Sequence, residues 1–178
     1  MVEYQQIWIG LGANLGFQGR PPQANLARAV TAIAQIWRVA AISSLWSSPA
    51  WPDPADPPFV NAAIGALAPA ALAPPEMMAH LLQLEGDFGR RRGRPNAPRT
   101  LDLDLLAITE RTGLWPGPPR VDLPHPRLLS RAFALGPLAE IAPSLLLGAD
   151  GQSAAALYAE LAPANPRCRR VLTAAEFV

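Results

Sequence analysis

The chain has 178 residues, of which half are hydrophobic and 16% are charged, and its formal net charge is +1. This length is typical of one folded domain, which we expect to span residues 1–178. The small net charge argues against a general polyanion binder, and the sequence lacks a run of about 18 apolar residues that would predict a membrane span.

The first 108 residues predict an alternation of strands and helices. Two proline pairs, Pro21-Pro22 and Pro74-Pro75, each precede an amphipathic pattern and predict a helix start. The proline-rich segment 49–58 and the arginine-rich segment 90–99 predict loops. Strands are expected at residues 6–11, 39–46, 59–67 and 101–108.

This order of elements predicts a fold class. Strand, helix, strand, strand, helix, strand is the order of the α+β, ferredoxin-like βαββαβ sandwich, with an antiparallel sheet and both helices on one face. The residues from Val121 onward form a C-terminal extension, in which we expect a short helix at Ser153–Leu161.

Some chemistries are excluded by composition. Cys168 is the single cysteine, and it lies far in sequence from the two histidines, His80 and His125. The sequence therefore predicts neither a disulfide nor a zinc site. All fifteen basic residues are arginine, so a lysine-containing phosphate loop is absent, and phosphate recognition would require arginine and metal. The N-terminal segment has no signal-peptide pattern, and we expect a cytoplasmic protein.

The segment RTLDLDLL, residues 99–106, places two carboxylates on one face of a predicted strand. Asp102 and Asp104 alternate with leucines, so their Cα atoms should lie about 6.6 Å apart on the same side. Such a pair suits Mg²⁺ shared with substrate phosphates. An exposed strand face with ordinary polar residues is the alternative. Five upstream arginines favour the metal and phosphate interpretation: Arg90, Arg91, Arg92, Arg94 and Arg99.

These residues resemble a known family. APRTLDLDLL, residues 97–106, is similar to the signature of the 6-hydroxymethyl-7,8-dihydropterin pyrophosphokinases, which transfer the β,γ-diphosphate of ATP to a pterin hydroxymethyl group and release AMP in folate biosynthesis. Further similar segments are GLGANLG at 10–16, SSPA and FVNAAI within 47–64, LLQLEGDFGRRR at 81–92, and LPHPRLLSRAFALGPLAEIAP at 123–143. The resemblance implies the ferredoxin-like fold, two Mg²⁺ ions, ATP and the pterin as substrates, and a monomer that binds neither nucleic acid nor membrane.

The resemblance also implies site residues. The metal ligands would be Asp102 and Asp104, which with Arg90 and Arg92 would form the catalytic group. The ATP contacts would be Glu85, Arg90, Arg92, Arg99, Arg120, His125 and Arg131. The pterin pocket would comprise Ser48, Pro49, Phe59, Asn61 and Phe133. Arg90 and Arg92 would close over the triphosphate, and the loop at 49–58 would cover the pterin.

The sequence departs from the family pattern at Leu82, Pro95 and Asn96, where the family often has a glutamine, a basic residue and an aromatic residue. These departures affect the expected ATP affinity and loop closure. Two other functions stay open. A nucleotide-sugar glycosyltransferase also uses paired aspartates with a metal, and a ferredoxin-like domain with an arginine loop can be an RNA-binding module.

Overall fold

In the computed structural model, which describes residues 2–51, 53–91, 97–148 and 150–178, an antiparallel sheet forms the centre of the molecule. The ten strands are β1 (Tyr4–Ala13), β2 (Arg38–Ile42), β3 (Leu45–Ser48), β4 (Phe59–Pro69), β5 (Asp102–Ile108), β6 (Gly113–Trp115), β7 (Val121–Leu123), β8 (Leu146–Leu147), β9 (Gln152–Ser153) and β10 (Arg169–Leu172). The five α-helices are α1 (Pro22–Ala34), α2 (Pro74–Asp87), α3 (Ala132–Ile141), α4 (Ala154–Leu161) and α5 (Ala174–Phe177).

Six of these strands form the main sheet. Its order is β10-β3-β4-β1-β5, with β2 also paired to β4, and the pairs are antiparallel. The first and fourth strands are therefore central, and β5 lies at an edge. The predicted antiparallel sheet with helices packed on it is confirmed. The narrower ferredoxin-like description stays a prediction, because the sheet also carries β10 and a divided second strand.

The two faces of the sheet bury different helices. Alternate β1 residues Ile7, Ile9 and Leu11 pack in one apolar cluster with residues of α1 and α2. Trp8 points to the opposite face and packs in a second cluster that contains residues of α3 and α4. Since successive strand residues alternate between faces, β1 contributes to both layers. The prediction that the first two helices share one face is confirmed.

The single strand predicted at 39–46 is wrong, because two serines divide it into β2 and β3. Ser43 and Ser44 are buried, and their backbone leaves the strand pattern. The Ser43 hydroxyl accepts a hydrogen bond from the Ala63 backbone at 2.9 Å. The Ser43 hydroxyl thus takes the place of a strand carbonyl as the acceptor for the Ala63 N–H. The chain then resumes pairing with β4 as β3.

Helix α3 was not predicted from the sequence. It is apolar on most sides and contains Pro137, so it lacks an amphipathic pattern. The amphipathic pattern is absent because α3 lies between the sheet and α4, so that two opposite sides of the helix are buried. The predicted helix at Ser153–Leu161 exists as α4, and the Ser153 hydroxyl caps it by accepting from the Ala156 backbone at 3.2 Å.

The C-terminal extension crosses from one face to the other. Helix α4 packs on α3, β10 pairs with β3 at the sheet edge, and Phe177 of α5 is buried in the cluster that contains α1. Within the described residues, no helix combines the length and apolar character needed to cross a bilayer.

Candidate active site

Three strands form a trough at one end of the sheet. Gly12 of β1 pairs with Asn61 of β4 on one side and with Asp102 of β5 on the other, while Gly10 pairs with Asp104. A Cβ atom at Gly12 would lie 3.4 Å from Asn61 Oδ1 and 3.8 Å from Asp102 Cβ. The glycines therefore leave the floor open between an amide and a carboxylate that are two strand spacings, about 10 Å, apart.

This trough is the floor of a cavity with a volume of about 930 Å³. That volume lies near the upper end of the range of about 300–1,000 Å³ for small-molecule sites. Ten residues predicted for the site line the cavity: Ser48, Pro49, Phe59, Asn61, Arg99, Asp102, Asp104, His125, Arg131 and Phe133. The structure thus brings the predicted metal, phosphate and heterocycle residues to one space.

The alternation predicted for β5 is present. Leu101, Leu103 and Leu105 are buried, while Asp102 and Asp104 are partly exposed. Both carboxylate oxygens of Asp102 contact arginines, since Arg90 Nη1 lies 2.5 Å from Oδ1 and Arg99 Nη1 lies 3.0 Å from Oδ2. Charge-assisted hydrogen bonds of this kind are strong and directional.

Glu85 joins α2 to the edge strand. Its side chain is only 3% exposed, and its Oε1 accepts from the Leu103 backbone at 2.7 Å and from Arg90. The Leu103 N–H points away from β1 at the sheet edge, where it would otherwise lack a partner. Burial raises the pKa of Glu85 to about 7, although the Leu103 N–H and Arg90 oppose this shift.

Asp104 is the more available carboxylate of the pair. Its side chain is 35% exposed, and its Oδ1 lies 3.9 Å from His125 Nε2, beyond hydrogen-bond distance. Burial within the cavity and, after it, the charge of Asp102 raise the pKa of Asp104, while His125 and Arg131 oppose the shift. A carboxylate that is accessible and poorly compensated is suited to bind a cation or accept a proton.

A β-bulge positions His125 beside Asp104. The register between β1 and β5 shifts at Trp8/Ile9, which leaves Leu106 without a cross-strand partner. The Leu106 carbonyl accepts from the His125 backbone at 2.8 Å. His125 Nδ1 accepts from the Arg127 backbone at 3.2 Å, so a neutral imidazole carries its proton on Nε2, which faces Asp104. Burial lowers the pKa of His125, and Asp104 opposes this.

Further arginines lie around this histidine. Arg127 and Arg131 line the cavity, and the Arg131 guanidinium lies 5.4 Å from the ring centroid of Phe133. Burial and the neighbouring Arg127 lower the pKa of Arg131, while both aspartates oppose the shift. The cavity therefore carries positive charge around a carboxylate pair, as a site for a metal-bound polyphosphate requires.

The other end of the cavity combines an amide, a hydroxyl and aromatic rings. Asn61 is buried and donates from Nδ2 to Ser48 Oγ at 3.0 Å. Phe59 lies opposite Ser48 in the ladder, and the Arg99 guanidinium is 5.7 Å from its ring centroid. This mixture of flat apolar surfaces and amide groups suits a heterocycle that has both donors and acceptors on its edge.

Asn14 ties three segments of this site together. Its Oδ1 accepts from the Arg99 backbone at 2.7 Å, and its Nδ2 donates to the Pro57 carbonyl at 3.0 Å. Asn25 adds a second connection, because its Nδ2 donates to the Leu15 and Thr100 carbonyls. Buried amides thus join the β1 turn, the proline-rich loop and the segment that carries Arg99.

The cavity lining and the predicted set of site residues differ at several positions. Glu85 and Arg90 lie near Asp102 but do not line the cavity. Arg120 is exposed before β7 and does not line the cavity either. Arg92 lies outside the described residues. Sequence reasoning missed Trp51, Arg127, Asn165, Arg167 and Cys168 as lining residues. Two of them had a sequence signal, since Trp51 lies in the proline-rich loop predicted to cover the pterin and Arg127 lies in the similar segment at 123–143.

The donor set fits a divalent cation bound together with phosphate. Among the described residues, no group of three or more His, Cys, Asp or Glu side chains forms a complete metal cage. Two aspartate carboxylates on one strand face are instead the kind of partial ligand set that Mg²⁺ completes with water and substrate oxygens. Arg90 and Arg99 occupy Asp102 in this arrangement, whereas Asp104 is accessible.

Solved structures show a similar fold. Wild-type Plasmodium falciparum HPPK-DHPS matches with a TM-score of 0.70 and 10% identity, over 92% of this chain and 46% of that chain. The structure of the same protein with pteroate also matches with a TM-score of 0.70 and 10% identity. At this identity the comparison shows the fold alone. The chain spans about half the length of those solved chains.

Sequence comparisons show the family. The sequence model of 7,8-dihydro-6-hydroxymethylpterin-pyrophosphokinase matches residues 8–143. Two relatives named 2-amino-4-hydroxy-6-hydroxymethyldihydropteridine pyrophosphokinase come from Methylorubrum extorquens and Pseudomonas aeruginosa. The first is 36% identical over 89% of this chain and 94% of its own. The second is 37% identical over 80% of this chain and 84% of its own length. This chain therefore belongs to the 7,8-dihydro-6-hydroxymethylpterin-pyrophosphokinase family.

Proposed function

We propose that this chain transfers the β,γ-diphosphate of ATP to the hydroxymethyl oxygen of 6-hydroxymethyl-7,8-dihydropterin. The oxygen forms a bond to the β-phosphorus, the bond from that phosphorus to the AMP oxygen breaks, and the hydroxymethyl proton is released. The products are AMP and the pterin diphosphate, which serve folate biosynthesis. Family membership supports this activity.

One observation carries the proposal. A single cavity joins the carboxylates and arginines around Asp104 to the amide and aromatic end around Asn61. A phosphate donor and a flat acceptor can therefore lie side by side, which brings the reacting atoms together without a bimolecular encounter. Two separate pockets would have given no such proximity.

Asp102 and Asp104 would hold two Mg²⁺ ions, which bind together with ATP. When bound, the metal supplies charge neutralisation for the phosphates and polarises the phosphoryl group. The protein supplies the remaining positive charge. Arg99 and Arg131, two of the arginines that line the cavity, would bind phosphate oxygens through their guanidinium groups.

The acceptor hydroxyl requires orientation as well as proximity. Asp104 is the more accessible carboxylate of the pair, with a side chain that is 35% exposed and lines the cavity. We assign it as a hydrogen-bond acceptor for the hydroxymethyl proton. Phe59, Phe133 and Asn61 would orient the heterocycle so that this hydroxyl faces the β-phosphorus.

Arg90 has a second role in the proposal. It now bridges Glu85 and Asp102, so binding of a metal at Asp102 would compete with it. Arg90 would then be released towards the triphosphate, which Arg92, outside the described residues, is also predicted to contact. Closure of these arginines and of the loop at 49–58 would exclude water and limit wasteful hydrolysis of ATP.

The experiment is a product assay with matched omissions. The chain is incubated with ATP, Mg²⁺ and 6-hydroxymethyl-7,8-dihydropterin, and AMP is separated from ADP by chromatography. We expect AMP to form only when the pterin and Mg²⁺ are both present. Binding to single-stranded RNA is measured in parallel, because the RNA-binding alternative predicts tight binding there and no AMP.

A further inference from the structure

The end of the chain forms a wall of the cavity that the family match does not include. Five consecutive residues, 164–168, line the cavity, whereas the family match ends at residue 143. We propose that Arg167 in this wall is a binding residue for the pterin substrate. The inference rests on the proposed function and adds a specificity-determining residue to it.

The pairing of β10 with β3 brings the wall at 164–168 to the heterocycle end of the cavity. Arg169 of β10 lies opposite Ser47 of β3 in an antiparallel pair. Cys168 and Arg167 directly precede β10, and they line the same cavity as Ser48 at the end of β3 and Pro49 after it. Cys168 is buried in a cluster with Trp46, and Phe133 packs against that cluster. Arg167 therefore stands near the predicted pterin residues.

The wall is held firmly in place. The Arg170 guanidinium lies 5.8 Å from the Trp46 ring centroid, and its Nε is 3.9 Å from Glu140 Oε2. The Cys168 backbone donates to the Asn165 carbonyl at 2.9 Å, which closes a turn before β10. Phe177, beyond β10, is buried on the opposite face of the sheet. These contacts fix the segment that follows Arg167, which reduces the conformational freedom that this part of the wall loses when a ligand binds.

The chemistry of the wall favours Arg167 as its ligand-binding group. Burial raises the pKa of Cys168 to about 11, so this thiol is uncharged at neutral pH. The Arg167 side chain is exposed, and its guanidinium forms no hydrogen bond or ion pair with another described residue. Its five N–H donors are therefore available, and the carbonyl oxygen and ring nitrogens of a pterin are acceptors.

Arg169 provides a matched control. Both arginines are exposed, but Arg169 lies two residues away on the same segment and does not line the cavity. The variants Arg167→Ala and Arg169→Ala remove the same charge from the full chain. We compare pterin binding by titration calorimetry, KM for each substrate and thermal unfolding of both variants with the parent protein.

We expect Arg167→Ala to weaken pterin binding and raise KM for the pterin about tenfold, as for the loss of a charged hydrogen bond. KM for ATP and the unfolding temperature should stay unchanged, and Arg169→Ala should match the parent. Equal pterin affinity in the two variants, or a matching rise in KM for ATP, would overturn the inference. A parent chain that does not bind the pterin would overturn both the inference and the proposed function, whereas pterin binding without AMP formation would contradict the function alone.

Discussion

At the scale of single residues, the two aspartates of β5 differ in their surroundings. Among the described residues, Asp102 contacts Arg90 and Arg99, while Asp104 faces the cavity with the His125 imidazole 3.9 Å away. The period-two pattern predicts their common face, but it cannot predict this difference. The difference arises because Arg90, Arg99 and His125 reach β5 from separate segments of the chain.

Substitution of either aspartate by asparagine should remove activity without unfolding the protein. We expect Asp102→Asn and Asp104→Asn to lower kcat by about 10²- to 10⁴-fold, because a neutral amide is a poor metal ligand and proton acceptor. The raised pKa of Asp104 shows that its charge is unfavourable in the fold, so Asp104→Asn should keep or increase the free energy of unfolding. Asp122→Asn, an exposed strand position, is the control. Near-parental AMP release by either site variant would exclude that residue from the reaction.

At the scale of secondary-structure elements, Glu140 of α3 holds β3 in position. Its Oε1 accepts from the Ser44 hydroxyl at 2.6 Å and the Ser44 backbone at 3.1 Å, and its Oε2 accepts from Trp46 Nε1 at 3.0 Å. Burial would raise the pKa of Glu140, but these donors outweigh burial and lower it. One ionised side chain therefore fixes the strand that precedes the proline-rich loop.

This network predicts a pH dependence of stability. A carboxyl group with a lowered pKa in the folded state contributes stability above its unfolded pKa of about 4.5, and this contribution is lost as the pH falls through the lower folded pKa. Glu140→Gln removes one acceptor site and should reduce the free energy of unfolding by about 2 kcal/mol at pH 7.

Urea denaturation at pH 7 and near pH 3 measures this effect. The difference between the parent and Glu140→Gln should shrink at the lower pH. Glu160→Gln, at an exposed position on α4, should show little change at either pH. A difference between the parent and Glu140→Gln that is equal at both pH values would show that the charge of Glu140 has no role.

Elements with a local signal could be predicted from the sequence. Proline pairs mark the starts of α1 and α2, and alternation marks β5. Helix α3 lacked such a signal because it is buried on both sides, and the break between β2 and β3 depends on the Ser43 contact with β4. The wall at 164–168 depends on pairing between β10 and β3, which are more than 100 residues apart in sequence.

At the scale of the whole molecule, the cavity is assembled from five separate stretches of chain. They are the β1 glycines, the segment from β3 to β4, the segment at 99–106, the segment at 125–134 and the wall at 164–168. Family resemblance could identify ten of the lining residues without the fold. It could not show that Gly10 and Gly12 separate the heterocycle end from the carboxylates, because that follows from the register of three strands.

The central claim is that the pterin hydroxymethyl oxygen attacks the β-phosphorus of ATP within this cavity. The most direct measurement uses a substrate labelled with ¹⁸O in the hydroxymethyl group, with the products identified by mass spectrometry. The account predicts one AMP without label for each pterin diphosphate that retains the label. Loss of the label from the pterin product, or ADP as the nucleotide product, would contradict it.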